Sequence, residues 1–390
     1  MRVSLFSSAL VAVLVGFGGS VAIVLSGAQA LGATPAQTAS WVSAMCFAVA
    51  VTSATLSFIH RMPVVTAWST PGAALIAATA VAGVPTYGME GAVGAFILAA
   101  VLILLSAALK PLAELIARIP GAIAAAMLAG VLIGFSIAVF DEAAADPLLV
   151  LPLLAVFLLV RLISATWAVI AVLVAGIGWA AILGKIAPYA GSVSITEWQF
   201  VSPVFEPTAL LGLGVPLFLV SMASQNLPGF AVLRTVGYVP PVRSALAATG
   251  LASLGTALFG SHTTTMAAIT AALCTGPETH PDPSKRWIAG LFYGGIYLVL
   301  AAIGVSVVAG FAALPVGVIV TVAGLALIGP LMGALSAALG PEVTRFPAVL
   351  TIAATASGLS LLGIGSAFWG LVLGLLALGG DRLVRQLKKV

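Results

Sequence analysis

Charged residues are scarce in this sequence. Asp, Glu, Lys and Arg make up 7% of its 390 residues, and 62% are hydrophobic, whereas soluble domains have about 25% charged residues. Because so few charges cannot cover a folded chain of this size in water, most of the surface must face lipid. Aromatic residues are also few, at 7%, and long apolar runs replace the alternating pattern of barrel strands. Packed membrane helices are therefore expected rather than an outer-membrane barrel.

Features of soluble enzymes, metal sites and nucleic-acid sites are also missing. Cys46 and Cys274 lie in apolar runs without metal-ligand spacing, so neither a disulfide nor a metal site is expected. The longest stretch outside the predicted spans, residues 185–207, is too short for a soluble domain, which argues against a membrane-anchored enzyme or receptor. There is no catalytic metal, triad or phosphate-loop motif, so no cofactor is expected. Basic residues are scattered singly, so the net charge of +4 indicates membrane topology rather than nucleic-acid binding.

The first apolar stretch has the appearance of a signal peptide. It follows Met1 and Arg2 and includes the small-residue run Ala28-Gln29-Ala30. The stretch is long enough to span a bilayer, and further apolar segments follow at once. We interpret it as a retained first helix.

Windows of about 20 apolar residues, bounded by charges, prolines or polar clusters, predict fourteen spans, several of them short. They are residues 5–30, 37–58, 64–81, 91–109, 121–140, 147–160, 163–184, 207–226, 243–259, 263–275, 286–309, 315–338, 345–358 and 361–379. With Arg2 in the cytoplasm, fourteen of the 15 basic residues fall in cytoplasmic loops and only Lys185 falls outside. A missed crossing would move later loops to the other side, so the charges favour this count and two cytoplasmic termini. No carboxylate lies deep in a predicted span.

The third and tenth segments are short, rich in hydroxyl groups and interrupted. Residues 62–78 and 260–273 each begin with a β-branched, hydroxyl-rich stretch and continue as an alanine-rich helix too short to cross alone. Two halves of seven spans have opposite orientation because seven is odd, so these segments are predicted to be corresponding elements of an inverted repeat. The predicted halves are residues 1–190 and 207–390.

Polar residues in these two segments predict helix starts inside the membrane. Ser69 or Thr70 is expected to cap the first half-helix, with Pro71 in its first turn. Thr264 or Thr265 is expected to cap the second half-helix. Free backbone N–H groups and two helix dipoles would then converge near the bilayer midplane, where an anion fits. Ordinary polar helix ends in a membrane bundle are the alternative.

The eighth and first segments carry further candidate residues. Ser224, Gln225 and Asn226 lie at membrane depth, where such side chains usually face the bundle interior or a water-filled cavity. Hydrogen bonds that cross-link helices are the alternative. Gly19 and Ser20 in the first segment, the repeat mate of the eighth, allow close approach of backbone or substrate, or serve small-residue packing.

The three histidines have different predicted roles. His262 begins the second interrupted segment and is a candidate proton-coupling group. His60 lies beside Arg61 at a predicted cytoplasmic end and is interpreted as an interfacial side chain. His280 lies in a polar loop, where no functional role is expected.

Three stretches carry a resemblance to a known family: Pro63 to Leu75, Ser221 to Gly229, and Ser261 to Thr265. On these residues the chain resembles the benzoate/proton symporter (BenE) family, and the resemblance extends over essentially the whole chain. It implies uptake of benzoate-like aromatic carboxylates with a proton across the bacterial inner membrane. It also implies kinship with the uracil-permease and sulfate-permease fold, an all-α bundle of seven plus seven inverted spans. In that fold, spans 1 to 4 and 8 to 11 form a core domain, and spans 5 to 7 and 12 to 14 form a gate domain.

The chain departs from uracil permeases at the eighth and tenth spans. Those proteins place carboxylates there, facing the base, whereas this chain offers uncharged side chains that can accept a substrate with its own negative charge. The candidate substrate-binding residues are Gly19, Ser20, Ser69, Thr70, Gly72, Ser224, Gln225, Asn226, Thr263, Thr264, Thr265 and Met266. An uncoupled channel or facilitator, or a transporter of another small organic anion or a nucleobase, is the alternative. The resemblance leaves a monomer and a homodimer open.

Introduced cysteines test the predicted topology. A cysteine at Ile195 should react with an impermeant thiol reagent from outside the cell, and one at Ser284 should react only after the cytoplasmic face is opened. The reason is the cytoplasmic placement of the basic loops. Labelling of position 195 from the cytoplasm, or of position 284 from outside, would contradict the predicted orientation.

Overall fold

The computed structural model of the chain describes residues 3–80, 86–109, 121–188, 194–267, 269–359, 361–362 and 366–387. Helices dominate this part of the chain. In the first half they are α1 Val3–Gly18, α2 Val21–Ala30, α3 Pro35–His60, α4 Thr70–Ala77, α5 Met89–Ala108, α6 Gly121–Ala145, α7 Pro147–Ile163 and α8 Ala165–Ile182. In the second half they are α9 Pro207–Arg234, α10 Val242–Ala257, α11 Ile269–Thr275, α12 Trp287–Ala302, α13 Gly304–Ala312, α14 Val316–Leu339, α15 Arg345–Ala356 and α16 Ser366–Leu387.

Membrane-spanning length is reached by six of the described helices or helix pairs. These are α1 with α2, α3, α5, α6, α9 and α14, and the bent pair α12 and α13 makes a seventh. The apolar parts of α7, α8 and α16 are shorter, with 10–17 residues each. The chain is therefore a mostly helical membrane protein, and its helix bounds follow the predicted apolar segments closely.

Two predicted spans are broken rather than continuous. The first is interrupted between Gly18 and Val21, where glycines weaken the helix. A Cβ atom at Gly19 would lie 2.7 Å from the Val15 carbonyl oxygen. The eleventh bends by 66° between α12 and α13. Thr196 bridges that bend, because its N–H donates to Ala302 O at 2.9 Å and its Oγ1 accepts from Val305 N–H at 2.9 Å.

Two short strands pair in the centre of the helical bundle. Strand β1 (Thr66–Trp68) runs antiparallel to β2 (Thr264–Met266), with Ala67 opposite Thr265. Two matching bonds flank the pair: Ser69 N–H donates to Thr263 O, and Ala267 N–H donates to Val65 O, both at 3.0 Å. Half-helix α4 follows β1, and half-helix α11 follows β2. The two interrupted segments therefore lie side by side.

Serine side chains bind the outer edges of both strands. Ser53 Oγ on α3 accepts from Thr66 N–H at 3.0 Å, and Ser253 Oγ on α10 accepts from Thr264 N–H at 2.8 Å. A two-stranded sheet leaves such edge groups without a strand partner, and the membrane interior has no water to replace one. The two serines thus complete the backbone hydrogen bonding of the sheet.

Glycines allow close helix packing around the sheet. A Cβ atom at Gly294 of α12 would lie 2.7 Å from Ala50 O of α3, and one at Gly324 of α14 would lie 2.5 Å from Phe135 O of α6. Helix α6 also packs against α15 and α16. Backbones approach this closely only where a side chain is absent.

An ion pair joins the two ends of the α7 and α8 hairpin. Lys185 Nζ lies 2.5 Å from Asp146 Oδ2, and Asp146 Oδ1 accepts from Leu149 N–H at the start of α7. The hydrogen bond from the Lys185 ammonium lowers the pKa of the Asp146 carboxyl. This pairing keeps the carboxylate charged and α7 capped.

Ser253→Ala should destabilise the protein. It leaves the buried Thr264 N–H without its acceptor, and an unsatisfied buried polar group costs about 1–3 kcal/mol. Ser7→Ala is the control, because Ser7 is exposed and its Oγ donates to Ser4 O without accepting from any backbone N–H of the described residues. Thermal unfolding in detergent should show a lower midpoint for Ser253→Ala alone. Equal midpoints for the two variants would contradict the role of Ser253.

Candidate functional site

The first half-helix, α4, starts in the middle of the bundle with most of its backbone donors already bonded. Ser69 caps it, because its Oγ accepts from Gly72 N–H at 3.0 Å and its carbonyl accepts from Ala73 N–H at 2.8 Å. Pro71 has no N–H. Among the described residues, the first-turn N–H left without a partner is that of Thr70. Several free backbone N–H groups were expected at the start of α4, and the structure leaves one, that of Thr70.

Gly72 leaves room for the Ser69 cap. A Cβ atom at this position would lie 2.8 Å from Ser69 Oγ and 2.6 Å from Leu217 Cδ1. A larger residue would therefore disturb the cap and displace the Leu217 side chain.

The prediction that Thr264 or Thr265 caps the second half-helix is wrong. Both residues lie in β2, and α11 begins only at Ile269. Strand pairing takes up these residues instead, and Thr265 Oγ1 donates to Ala67 O at 3.2 Å. Thr264 Oγ1 is buried and has no hydrogen-bond partner among the described residues.

His262 is fully buried and bonded at both ring nitrogens. Trp41 Nε1–H can only donate, so His262 Nδ1 accepts this bond at 3.1 Å. His262 Nε2 therefore carries the proton and donates to Ser69 O at 3.0 Å. A second proton would break the Trp41 bond, so this geometry favours a role in positioning Ser69 over the predicted proton coupling.

Several predicted residues of α9 and β2 bind one another. Asn226 Oδ1 accepts from Met266 N–H at 2.9 Å, and both residues are fully buried. Ser221 Oγ lies 2.6 Å from Thr263 Oγ1. These bonds hold β2 against α9, as the helix cross-linking alternative predicts.

Gln225 differs from its neighbour Asn226. It lies in a π-helical turn of α9, Met222–Asn226, which widens the helix by one residue. Its side chain is half-buried and has no hydrogen-bond partner within the described chain. Ser224 Oγ donates back to Val220 O at 2.5 Å. Of the polar side chains predicted in α9, the Gln225 amide is the free one.

Gly19 and Ser20 join the cluster through a tryptophan. Trp68 Nε1 donates to Ser20 Oγ at 3.0 Å, and Ser20 Oγ donates to Gly16 O at 2.5 Å. Gly19 precedes Ser20 at the break in the first span.

Aromatic residues that were not among the predicted site residues surround β1. Tyr297 and Phe17 pack edge-on against Trp68, each with ring centroids 5.8 Å apart. Tyr293 Oη donates to Thr66 O at 3.1 Å. The spacing of Tyr293 and Tyr297, one helical turn apart in α12, is the signal that could have indicated a shared inward face.

The predicted residues thus gather around the strand pair and present no formal charge. None of the twelve is Asp, Glu, Lys or Arg, and no group of three or more potential metal ligands occurs in the described part of the chain. Among the twelve, the unpartnered donors on partly exposed residues are the Thr70 N–H and the Gln225 amide, whereas the unpartnered Thr264 hydroxyl is buried. Such a site can hydrogen-bond a carboxyl group but offers no cation to neutralise it.

Comparisons with known proteins agree with a membrane transport role. Residues 1–379 match the family described as benzoate membrane transport protein. The chain is 40% identical over 363 residues to the inner membrane protein YdcO of Escherichia coli, covering 93% of this chain and 92% of the relative. It is 37% identical over 366 residues to the benzoate membrane transport protein of Acinetobacter baylyi, covering 94% and 92%. Neither description is that of an enzyme.

Solved structures show the same fold at low sequence identity. The transmembrane domain of the cyanobacterial bicarbonate transporter BicA aligns with a TM-score of 0.58 and 14% identity, covering 95% of this chain and 96% of that domain. SLC26A9 aligns with a TM-score of 0.66 and 12% identity, covering 97% of this chain and 65% of its own. At 37–40% identity over nearly the whole length of its relatives, and with the family match over residues 1–379, the chain belongs to the benzoate membrane transport protein family.

Proposed function

We propose that this membrane transporter imports benzoate or a similar aromatic carboxylate together with a proton across the bacterial inner membrane. The observation that carries the proposal is the uncharged polar cluster at the strand pair, where Thr70 N–H and the Gln225 amide lack partners. The name of the Acinetobacter baylyi relative supports benzoate as the substrate.

The proposed topology is fourteen spans in two inverted halves, residues 1–190 and 207–390, with both termini in the cytoplasm. The matching bonds that flank the strand pair support it, since each joins the residue after one strand to the residue before the other. The serine bonds to the strands also correspond between the halves. Ser53 accepts from the first residue of β1, Thr66, and Ser253 accepts from the first residue of β2, Thr264. We assign spans 1 to 4 and 8 to 11 to a core domain and spans 5 to 7 and 12 to 14 to a gate domain.

Within this site we divide the candidate residues into two groups. Thr70 and Gln225 bind the substrate carboxyl group, because their donors are free. The others shape and hold the site: Gly19, Ser20, Ser69, Gly72, Ser224, Asn226, Thr263, Thr264, Thr265 and Met266. This division follows from the hydrogen bonds that Asn226, Thr263 and Thr265 already make to α9, β1 or β2, and from the burial of the Thr264 hydroxyl.

The proton is proposed to travel on the substrate. A carboxylate that enters a site without a cation loses hydration, which raises its pKa from a value near 4. Since His262 has both nitrogens bonded, the substrate is the strongest base in the cluster. The carboxylate and one proton then cross together as the neutral acid.

Gln225→Leu should weaken benzoate binding without loss of folded protein. One hydrogen bond to a carboxylate is worth about 1.5–3 kcal/mol, which corresponds to about tenfold or more in affinity. Binding of labelled benzoate measures the affinity, and elution from a size-exclusion column measures the yield of folded protein. Gln29→Leu is the matched control, since Gln29 is an exposed glutamine in α2. Asn226→Leu should instead lose folded yield, because Met266 N–H is left unsatisfied. Unchanged benzoate affinity in Gln225→Leu would contradict the assignment.

Transport should move no net charge. In proteoliposomes, benzoate should accumulate against its gradient when the outside is acidic, and a protonophore should abolish the accumulation. The membrane potential at a fixed pH gradient should not change the rate, because the transported species is neutral. A substrate-dependent current would contradict transport of the neutral acid, and equilibration without accumulation would favour the uncoupled facilitator.

A further inference from the structure

A cavity of about 270 Å³ lies between half-helix α4 and the group formed by α6, α15 and α16. Leu75, Thr79, Gly134, Phe135 and Ser366 are among its lining residues, and none of the lining residues is charged. None of the twelve candidate site residues lines it. The cavity is therefore separate from the cluster at the strand pair.

The cavity has the chemistry of a small aromatic acid site. Binding sites for small molecules are mostly apolar, with a few placed polar groups. Phe135 offers a ring, and Ser366 Oγ has no hydrogen-bond partner within the described residues. Thr79 Oγ1 donates to Ile76 O at 2.7 Å, so its lone pairs are left to accept a bond from a ligand.

The lining disfavours a charged ligand. Burial of a carboxylate without a paired charge is costly, whereas a protonated carboxyl needs only hydrogen bonds. Asp141 and Glu142 near the end of α6, and Asp381 on α16, are carboxylates on the surrounding helices, and none of them lines the cavity. No side chain of the lining can therefore hold the proton or compensate a negative charge.

The cavity is also connected to the candidate site by α4. Thr70 begins this half-helix and Thr79 follows its end, so at 1.5 Å per residue the two lie roughly 14 Å apart. In the proposed topology, Thr79 lies on the outer side of Thr70. A substrate that arrives from outside would meet the cavity first.

We propose that this cavity is a second substrate site, which binds the protonated, uncharged aromatic acid before it reaches Thr70 and Gln225. The carboxylate takes its proton from the aqueous phase outside, and the resulting acid enters the cavity. The inference rests on the proposed function, since it supplies a place that holds the neutral acid on its way to Thr70 and Gln225.

Thiol protection tests the charge preference of the cavity directly. Ser366→Cys places a thiol in the lining, and the native Cys46 and Cys274 are fully buried. At one alkaline pH, benzamide at ten times its dissociation constant should slow labelling about tenfold, while the benzoate anion should slow it far less. Ser357→Cys, exposed next to the cavity but outside its lining, should be labelled at the same rate with either compound present.

Equal protection of the Ser366→Cys thiol by the anion, or no protection by benzamide, overturns the proposal. If the thiol of Ser366→Cys reacts slowly in liposomes before any ligand is added, a lipid chain occupies the cavity. That result also overturns the proposal.

Filling the cavity tests its place in transport. A Cβ atom at Gly134 would meet no atom within 4 Å, and leucine favours helix more than glycine does, so Gly134→Leu should fold. It should retain benzoate binding at Thr70 and Gln225 but lose transport. Gly333→Leu on α14 is the control, because Gly333 also has open space but does not line the cavity.

The outcomes separate this inference from the proposed function. Transport by Gly134→Leu at the wild-type rate overturns the second site alone. A wild-type protein that transports no aromatic acid overturns the proposed function, and the labelling of Ser366→Cys then still decides whether the cavity takes an uncharged aromatic ligand.

Discussion

The rest of this structure depends on the need to satisfy backbone hydrogen bonds in the membrane interior without water. Two strands of three residues cannot do so alone, because each has an outer edge. Ser53, Ser253 and Asn226 supply the missing acceptors from three different helices. The polar residues at the centre of an otherwise apolar chain are therefore mainly structural, and the few left over define the candidate site.

Much of the helical layout was predictable because membrane helices are set by length and hydropathy. Helix α3 occupies residues 35–60 where 37–58 was predicted, and the extended stretches before α4 and α11 occur where hydroxyl-rich sequence interrupts the apolar runs. The breaks at Gly19 and between α12 and α13 were not predicted. Both depend on contacts from distant segments, such as Thr196 at Ala302, which hydropathy does not record.

The candidate site was predictable as a region but not residue by residue. Gln225 and Asn226 are adjacent side-chain amides, and both were predicted to bind substrate. Asn226 is instead bonded to β2, whereas Gln225 is free. Thr264 and Thr265 have the residue type of helix caps, but strand pairing takes precedence over capping. The tautomer of His262 depends on Trp41, more than two hundred residues away in sequence, and no local pattern reports such a contact.

The strand pair also constrains how the protein is made. Thr265 bonds to Ala67 across 198 residues of sequence. Most of the intervening helices are therefore synthesised before β1 can meet its partner. Ser53, which bonds to the outer edge of β1, lies in the first half of the chain, whereas the strand partner of the inner edge lies in the second half. The backbone hydrogen bonding of β1 is therefore completed only by the second half of the chain, so neither half can satisfy the centre of the bundle without the other.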